Sequence, residues 1–149
     1  MSLSTTMEIL SSGLTASRLR MNIIASNLAN ANSTRRAAGG GPYQRQDPVY
    51  KSTEVNQHRP AFADVLKGEF DDSLRGVQVT QIVKDQTPGR TAYDPGHPDA
   101  DANGLVRYPN VNMLEEMVDM IVASRVYEAG ITAMQSVKSM KQKALTIGK

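Results

Sequence analysis

Eight apolar side chains near the N-terminus constrain this chain most: Leu3, Met7, Leu10, Leu14, Met21, Ile24, Leu28 and Ala31. Their steps alternate four and three, and Ser17 is the one polar residue in the series. Apolar positions recurring every 3.5 residues line one stripe of an α-helix, which lets two helices bury a shared seam. The opposite face is Ser, Thr, Arg and Asn. Gly13 lies inside the run and costs about 1 kcal/mol relative to Ala, so this helix depends on a packed face more than on propensity. It needs a partner.

The other end of the chain supplies one. Met113, Met117, Met120, Tyr127, Ile131 and Met134 again step by four and three, with Ser124 in the same line. After one shortened step the series continues as Val137, Met140, Ala144 and Ile147, which predicts that the seam shifts around the helix there. Leu114, Val118 and Ile121 form a second stripe and widen the apolar face toward more than one neighbour. Asn110 or Asn112 is placed to cap the start, and Glu115 and Glu116 suit the first turn. At about 1.5 Å per residue the two helices would be roughly 45 and 55 Å long.

Between them the character changes. Arg35 to Pro42 contains three consecutive glycines and reads as a flexible break. Tyr43 to Val55 reads as extended chain, with Pro48 limiting it to an edge or short strand. His58 to Arg75 is ambiguous, with Phe62, Val65, Leu66 and Phe70 spaced for a short helix. Gly76 to Lys84 alternates like a strand, distorted near Ile82 and Val83. Thr87 to Gly104 is crowded with turn signals, and Leu105 to Tyr108 could pair back as a short strand. The expected fold is mainly α, with a small β-rich insert of short strands and turns. Residues 1–34 and 110–149 would be coiled-coil helices and 35–109 the linker and insert.

Composition agrees with helix seams better than with a thick core. Of 149 residues only 5% are aromatic, with no Trp and two Phe, whereas there are eight Met. Methionine is flexible, so a seam rich in it can pack against non-identical neighbours. The 17 Lys and Arg are scattered among 15 Asp and Glu, without the clustered basic face of nucleic-acid binders. The absence of cysteine removes disulfides, thiolate metal sites and cysteine nucleophiles. No apolar run approaches the ~20 residues needed to span a bilayer. The N-terminus also lacks the layout of a cleaved signal peptide.

Little of the sequence suggests reactive chemistry. Asp99-Ala100-Asp101-Ala102-Asn103-Gly104 imitates the opening of a calcium loop, with Val106 apolar as such a loop requires. Position twelve, however, is Asn110 rather than a bidentate Glu, and Pro95 and Pro98 oppose a regular entering helix. An acidic turn is the expectation. His58 and His97 lie in no nucleophile–base arrangement, and two His without Cys fall short of a zinc set. No catalytic residue, metal ligand or cofactor is expected. The chain reads as a non-enzymatic assembly protein.

Three stretches in order carry a family resemblance. Ser12-Gly13-Leu14-Thr15-Ala16-Ser17-Arg18-Leu19-Arg20-Met21-Asn22, followed by Ala25-Ser26-Asn27-Leu28-Ala29-Asn30-Ala31-Asn32, resembles the N-terminal signature of bacterial flagellar rod, hook and hook-associated proteins. Glu116-Met117-Val118-Asp119-Met120-Ile121-Val122-Ala123-Ser124-Arg125-Val126-Tyr127-Glu128-Ala129 resembles their C-terminal signature. The turn-rich run Tyr93, Asp94, Pro95, Gly96, His97, Pro98, Asp99, Asp101 and Gly104, leading through Pro109 and Asn110, is similar to the C type of proximal-rod protein. The resemblance covers residues 1–34 and about 76–149. One position departs from it: Gly130 stands where the family commonly has Asn.

The resemblance implies a structural subunit of the basal-body rod, exported through the flagellar type III apparatus and polymerising in the periplasmic space into a hollow, torque-transmitting rod. It implies as partners the other proximal-rod proteins, the distal-rod protein, the rod cap during assembly, and the MS-ring and export-gate junction at the base. Neither nucleic acid nor membrane insertion is implied. From the helical pattern alone, a non-polymerising coiled-coil adaptor remains the alternative.

Overall fold

The computed structural model describes residues 3–35, 41–54 and 75–147. Residues 36–40 of the glycine-rich break lie outside them, as do His58 and all of the ambiguous segment except Arg75. The described chain forms α1 (Leu3–Ala29), β1 (Gln46–Glu54), β2 (Arg75–Lys84), β3 (Thr91–Tyr93), β4 (Leu105–Arg107) and α2 (Met113–Ile147). Two long helices thus enclose, in sequence, a small region of two-stranded sheets, β1 with β2 and β3 with β4. The fold is mainly helical. Among the described residues no helix is long and apolar enough to cross a membrane.

The helix ends follow from local hydrogen bonding. The Asn112 side-chain oxygen accepts the Leu114 N–H at 3.1 Å, and the Asn112 carbonyl accepts the Glu116 N–H at 3.0 Å. This is an N-cap in front of a first turn that carries Glu115 and Glu116. At the far end of α1 the Asn30 side chain donates to the Ser26 carbonyl at 2.9 Å. The Ala31 and Ser33 N–H groups then reach back three residues rather than four, the tighter winding common where a helix stops.

The chain divides into two compact units, each built from separated segments. One contains the described residues of Met1–Arg18, Tyr50–Thr80 and Ser124–Lys149. In it the Ser12 hydroxyl donates to the Ile9 carbonyl at 2.7 Å and accepts the Val77 N–H at 3.1 Å, fastening α1 to the start of β2. Gly76 is buried there, and a Cβ on it would stand 2.8 Å from the Ser12 hydroxyl. Leu14 fills the space beside Gly130, where an added Cβ would come within 2.9 Å of Leu14 Cδ2. The missing side chain at position 130 is therefore occupied by a neighbour's methyl group.

The other unit contains the described residues of Leu19–Val49 and Gln81–Ala123. Its apolar centre is Ile23, Ile24, Ala31, Val106 and Ala123. β3 and β4 run antiparallel, with Thr91 opposite Arg107, Ala92 opposite Val106 and Tyr93 opposite Leu105. Residues 94–104 form the hairpin loop, which Gly104 closes at φ +73°. A side chain there would be strained and would press on Tyr93 at 2.9 Å. Behind the hairpin, backbone passes so close to backbone that a Cβ on Gly89 would lie 2.0 Å from the Tyr108 carbonyl oxygen. The Tyr108 N–H donates to the Arg90 carbonyl at 2.9 Å, and the Arg90 guanidinium lies 4.4 Å from the centre of the Tyr108 ring.

These two kinds of glycine should respond oppositely to substitution. Among the described residues nothing lies within 4 Å of a Cβ on Gly13, so Gly13→Ala should raise stability by about 0.5–1 kcal/mol through helix propensity. Gly89→Ala must displace main chain and should destabilise by about 2 kcal/mol or more. Denaturant titration of the two variants beside the parent chain checks both signs.

Candidate assembly surface

A buried polar cluster organises the unit that contains the start of α2. Glu116, in the first turns of α2, has 0% exposure, and Asn27, on α1, has 1%. Arg45 Nε donates to Glu116 Oε1 at 2.6 Å, and Asn27 Nδ2 donates to Glu116 Oε2 at 3.2 Å. The Asn27 amide also pairs with the backbone as a strand would: Nδ2 donates to the Gln46 carbonyl at 2.9 Å, and Oδ1 accepts the Gln46 N–H at 3.0 Å. The Tyr43 hydroxyl donates to the same Oδ1 at 2.9 Å. Every buried side-chain nitrogen and oxygen among the described residues has a partner.

The Arg45 guanidinium faces three carboxylates at once. Its other guanidinium nitrogens face Asp47 and, at 3.9 Å, Asp119, which also lies 3.5 Å from Arg20. Burial alone would lower the Arg45 pKa, but the hydrogen bond to Glu116 and the charges of Asp47, Glu116 and Asp119 outweigh it and raise the value. The group stays charged. Its backbone N–H donates to Asn110 Oδ1 at 2.9 Å, and Asn110 Nδ2 reaches the Asp85 carbonyl at 3.2 Å and the Thr87 hydroxyl at 3.0 Å. Asn110 thus ties extended chain together rather than capping α2. Asn112 is the cap.

The turn motif is wired internally. Asp94 Oδ1 accepts the Gly96 N–H at 3.1 Å, and His97 Nδ1 accepts the Asp99 N–H at 3.1 Å. Asp101 Oδ1 accepts from both Asn103, at 2.8 Å, and Leu105, at 3.0 Å. Asp99 takes the Thr34 hydroxyl at 2.7 Å. The backbone N–H groups of Leu105 and Asn103 hold the Asp101 carboxyl below its ordinary pKa. Of the oxygens that a calcium loop would aim at an ion, Asp101 Oδ1 is spent on the loop's own backbone and Asp99 Oδ2 on the Thr34 hydroxyl. Pro95, Pro98 and Tyr93 are exposed and Pro109 is buried. Among the described residues no group of three His, Asp or Glu is placed to hold a metal ion.

The apolar series distribute unevenly. Leu3, Met7, Leu10, Leu14, Met21 and Leu28 are half-buried and Ile24 is buried. On α2 the most enclosed residues are Glu116, Ala123 and Val137, with Met120, Tyr127, Gly130, Ile131 and Met134 half-buried. Met113 and Met117 are exposed. Beside them runs an exposed apolar face of Leu114 at 70%, Val118 at 60% and Ile121 at 62%, extended by Val122 and Val126. Solvated helices seldom carry such a continuous stripe.

Comparison with known proteins agrees with these features at both ends of the chain. Residues 7–37 match the family described as "Flagella basal body rod protein", and residues 102–147 match "Flagellar basal body rod FlgEFG protein C-terminal". The chain is 44% identical to the flagellar basal-body rod protein FlgC of Borreliella burgdorferi, over 99% of this chain and 98% of that protein. It is 40% identical to the FlgC of Bacillus subtilis, over 96% of each, and 39% identical to that of Salmonella typhimurium, over 95% and 94%. The chain belongs to the FlgC family of flagellar basal-body rod proteins.

Asn27, Arg45, Tyr43 and Glu116 form a hydrogen-bonded cluster that the periodic pattern did not indicate. Asn27 and Glu116 stand inside the two FlgC-family helical signatures but one position away from the predicted seams. The visible signal was a polar residue wedged among apolar ones, between Ile24 and Leu28. Arg45 gave none, because its partner lies 71 residues away.

Removing one member of the pair should be worse than removing both. Arg45→Met leaves the Glu116 carboxylate buried without its cation and should destabilise by about 3 kcal/mol, whereas Arg45→Met with Glu116→Met should recover most of the loss. Chemical denaturation of the three chains checks this. Asp101 should give the loop an acid limit. Its folded-state pKa lies below its unfolded value, so its contribution is complete above the unfolded value and is lost as pH falls through the folded one, in the region below about 4. Titration of the Asn103 and Leu105 amide resonances should show that transition, and Asp101→Asn, which keeps an acceptor oxygen, should abolish it.

Proposed function

We propose that this chain is a structural subunit of the proximal rod, exported by the flagellar type III apparatus and polymerising in the periplasmic space into the hollow rod that transmits torque. Its two helices, within residues 1–34 and 110–149, pair as a coiled coil with each other and with neighbouring chains, and residues 35–109 form the insert between those arms. Leu3, Met7, Leu10, Leu14, Met21, Ile24 and Leu28 provide the seam of the first arm. Met113, Met117, Met120, Tyr127, Ile131 and Met134 provide that of the second. Tyr93 to Gly104, with Pro109 and Asn110, shape the insert's contact loop.

The carrying observation is the exposed stripe of Leu114, Val118, Ile121, Val122 and Val126. A face of this kind is stable in a finished structure only when another surface covers it. Heterologous contacts that do not close into a ring generate a helical array, the symmetry a rod requires. The neighbours on this reading are the other proximal-rod proteins, the distal-rod protein, the rod cap during assembly and, at the base, the MS-ring and export-gate junction.

Ile121→Glu separates folding from assembly. Because Ile121 is 62% exposed, the charge should change the stability of the single chain by less than about 0.5 kcal/mol. The variant should nevertheless be missing from isolated basal bodies, and cells carrying it should not swim. Normal incorporation and swimming would overturn the assignment of this face.

A further inference from the structure

Leu14 seated against Gly130 apart, apolar matching is a poor ruler for two helices of this composition. Along α2 the half-buried Met120, Tyr127 and Met134 recur at steps of seven, so a slip of one heptad exchanges one large apolar side chain for another. Such seams tolerate exchange. A polar residue at a single buried position is the best-attested device for fixing register under these conditions.

Glu116 occupies such a position. Asn27 pairs with Glu116 and Arg20 with Asp119, so in this unit α1 and α2 run in opposite directions. A slip that brought Ala123 opposite Asn27 would carry Glu116 beyond Ala29, where α1 ends. A slip the other way would place residue 109 opposite Asn27, ahead of Met113, where α2 begins. Either way the α1–α2 hydrogen bond between Asn27 and Glu116 is lost. Arg45 cannot follow a sliding carboxylate, because the next residue, Gln46, is held to α1 through its N–H and its carbonyl by the Asn27 amide. Each slipped register leaves a buried charge or amide short of a partner.

We propose that Glu116, held between Asn27 and Arg45, is the positioning residue that sets the register in which α2 docks on α1. The apolar seam supplies attraction and this carboxylate supplies the address. The inference concerns contacts within one chain and does not depend on the rod reading.

The absence of cysteine allows a direct test in the purified full-length chain. One version carries Arg20→Cys with Asp119→Cys, reporting the register seen here. A second carries Arg20→Cys with Val126→Cys, reporting a slip of one heptad. Each is treated with a short bismaleimide in three backgrounds: Glu116, Glu116→Leu and Glu116→Gln. Cross-linking traps only paired helices, so the ratio of the two products reads register independently of how much of the chain is paired. The ratio should fall at least about fivefold in Glu116→Leu, the change that roughly 1 kcal/mol produces. It should fall clearly less in Glu116→Gln, which keeps an acceptor for Arg45 but turns an NH2 group toward the Asn27 amide. An unchanged ratio in Glu116→Leu would overturn the proposal. So would an equal fall in Glu116→Gln, which would mark a merely structural defect, or failure of the parent to give the 20–119 product.

Discussion

Burying the carboxylate of Glu116 at 0% exposure would cost several kcal/mol if it stood alone. The surrounding arrangement can be read as the set of conditions that offsets this. One partner comes from the last turns of α1, a second from the extended chain before β1, and the carboxylate itself from the first turns of α2. None of these segments is near another in sequence, and each alone would expose its polar groups to water. They are stable together or not at all. The same logic explains why Asn27 behaves like a short piece of strand, donating to and accepting from Gln46. Its amide ends the helix face and begins the sheet-like pairing in one residue.

The hairpin loop solves a smaller version of the same problem by itself. Its Asp side chains accept N–H groups two to four residues ahead, so the turn is specified by short-range chemistry with little help from a core. Gly104 provides the one left-handed residue the closure needs. A loop of this kind presents a fixed surface without a thick foundation.

Much of the fold was legible because periodic patterns report local structure. The steps of four and three located both helices, the turn signals from Asp94 to Gly104 located the hairpin loop although β3 lay hidden in the same turn-rich run, and the alternation of Gly76 to Lys84 located β2. What the pattern could not give was which line of each helix turns inward within a single chain. Residues 117, 124 and 131 and residues 116, 123 and 130 lie on adjacent lines, and both lines share Met120, Tyr127 and Met134. A carboxylate at 116 argued for the outer line. Only the long-range partner Arg45 makes the inner line affordable, and no local pattern announces a partner so distant in sequence. The departure at Gly130 has the same character. Flexibility was the visible consequence of Gly in mid-helix, whereas the close approach of Leu14 depends on the facing helix.

That displacement by one line has a physical consequence for assembly. If Met117 and its companions had faced inward, the stripe of Leu114, Val118 and Ile121 would have been partly covered by the chain itself. With Glu116 turned inward, the apolar residues of the first turns are left outside. Five large apolar side chains, each about half exposed or more, would contribute on the order of 5 kcal/mol when covered. That is comparable to the cost of immobilising two free proteins, so one such contact alone is weak. A chain meeting several neighbours at a growing end meets that cost only once while the contacts add. On the rod reading, the inward carboxylate therefore does two things: it fixes how the chain folds, and it leaves outside an apolar face too weak to aggregate in dilute solution but sufficient in an array.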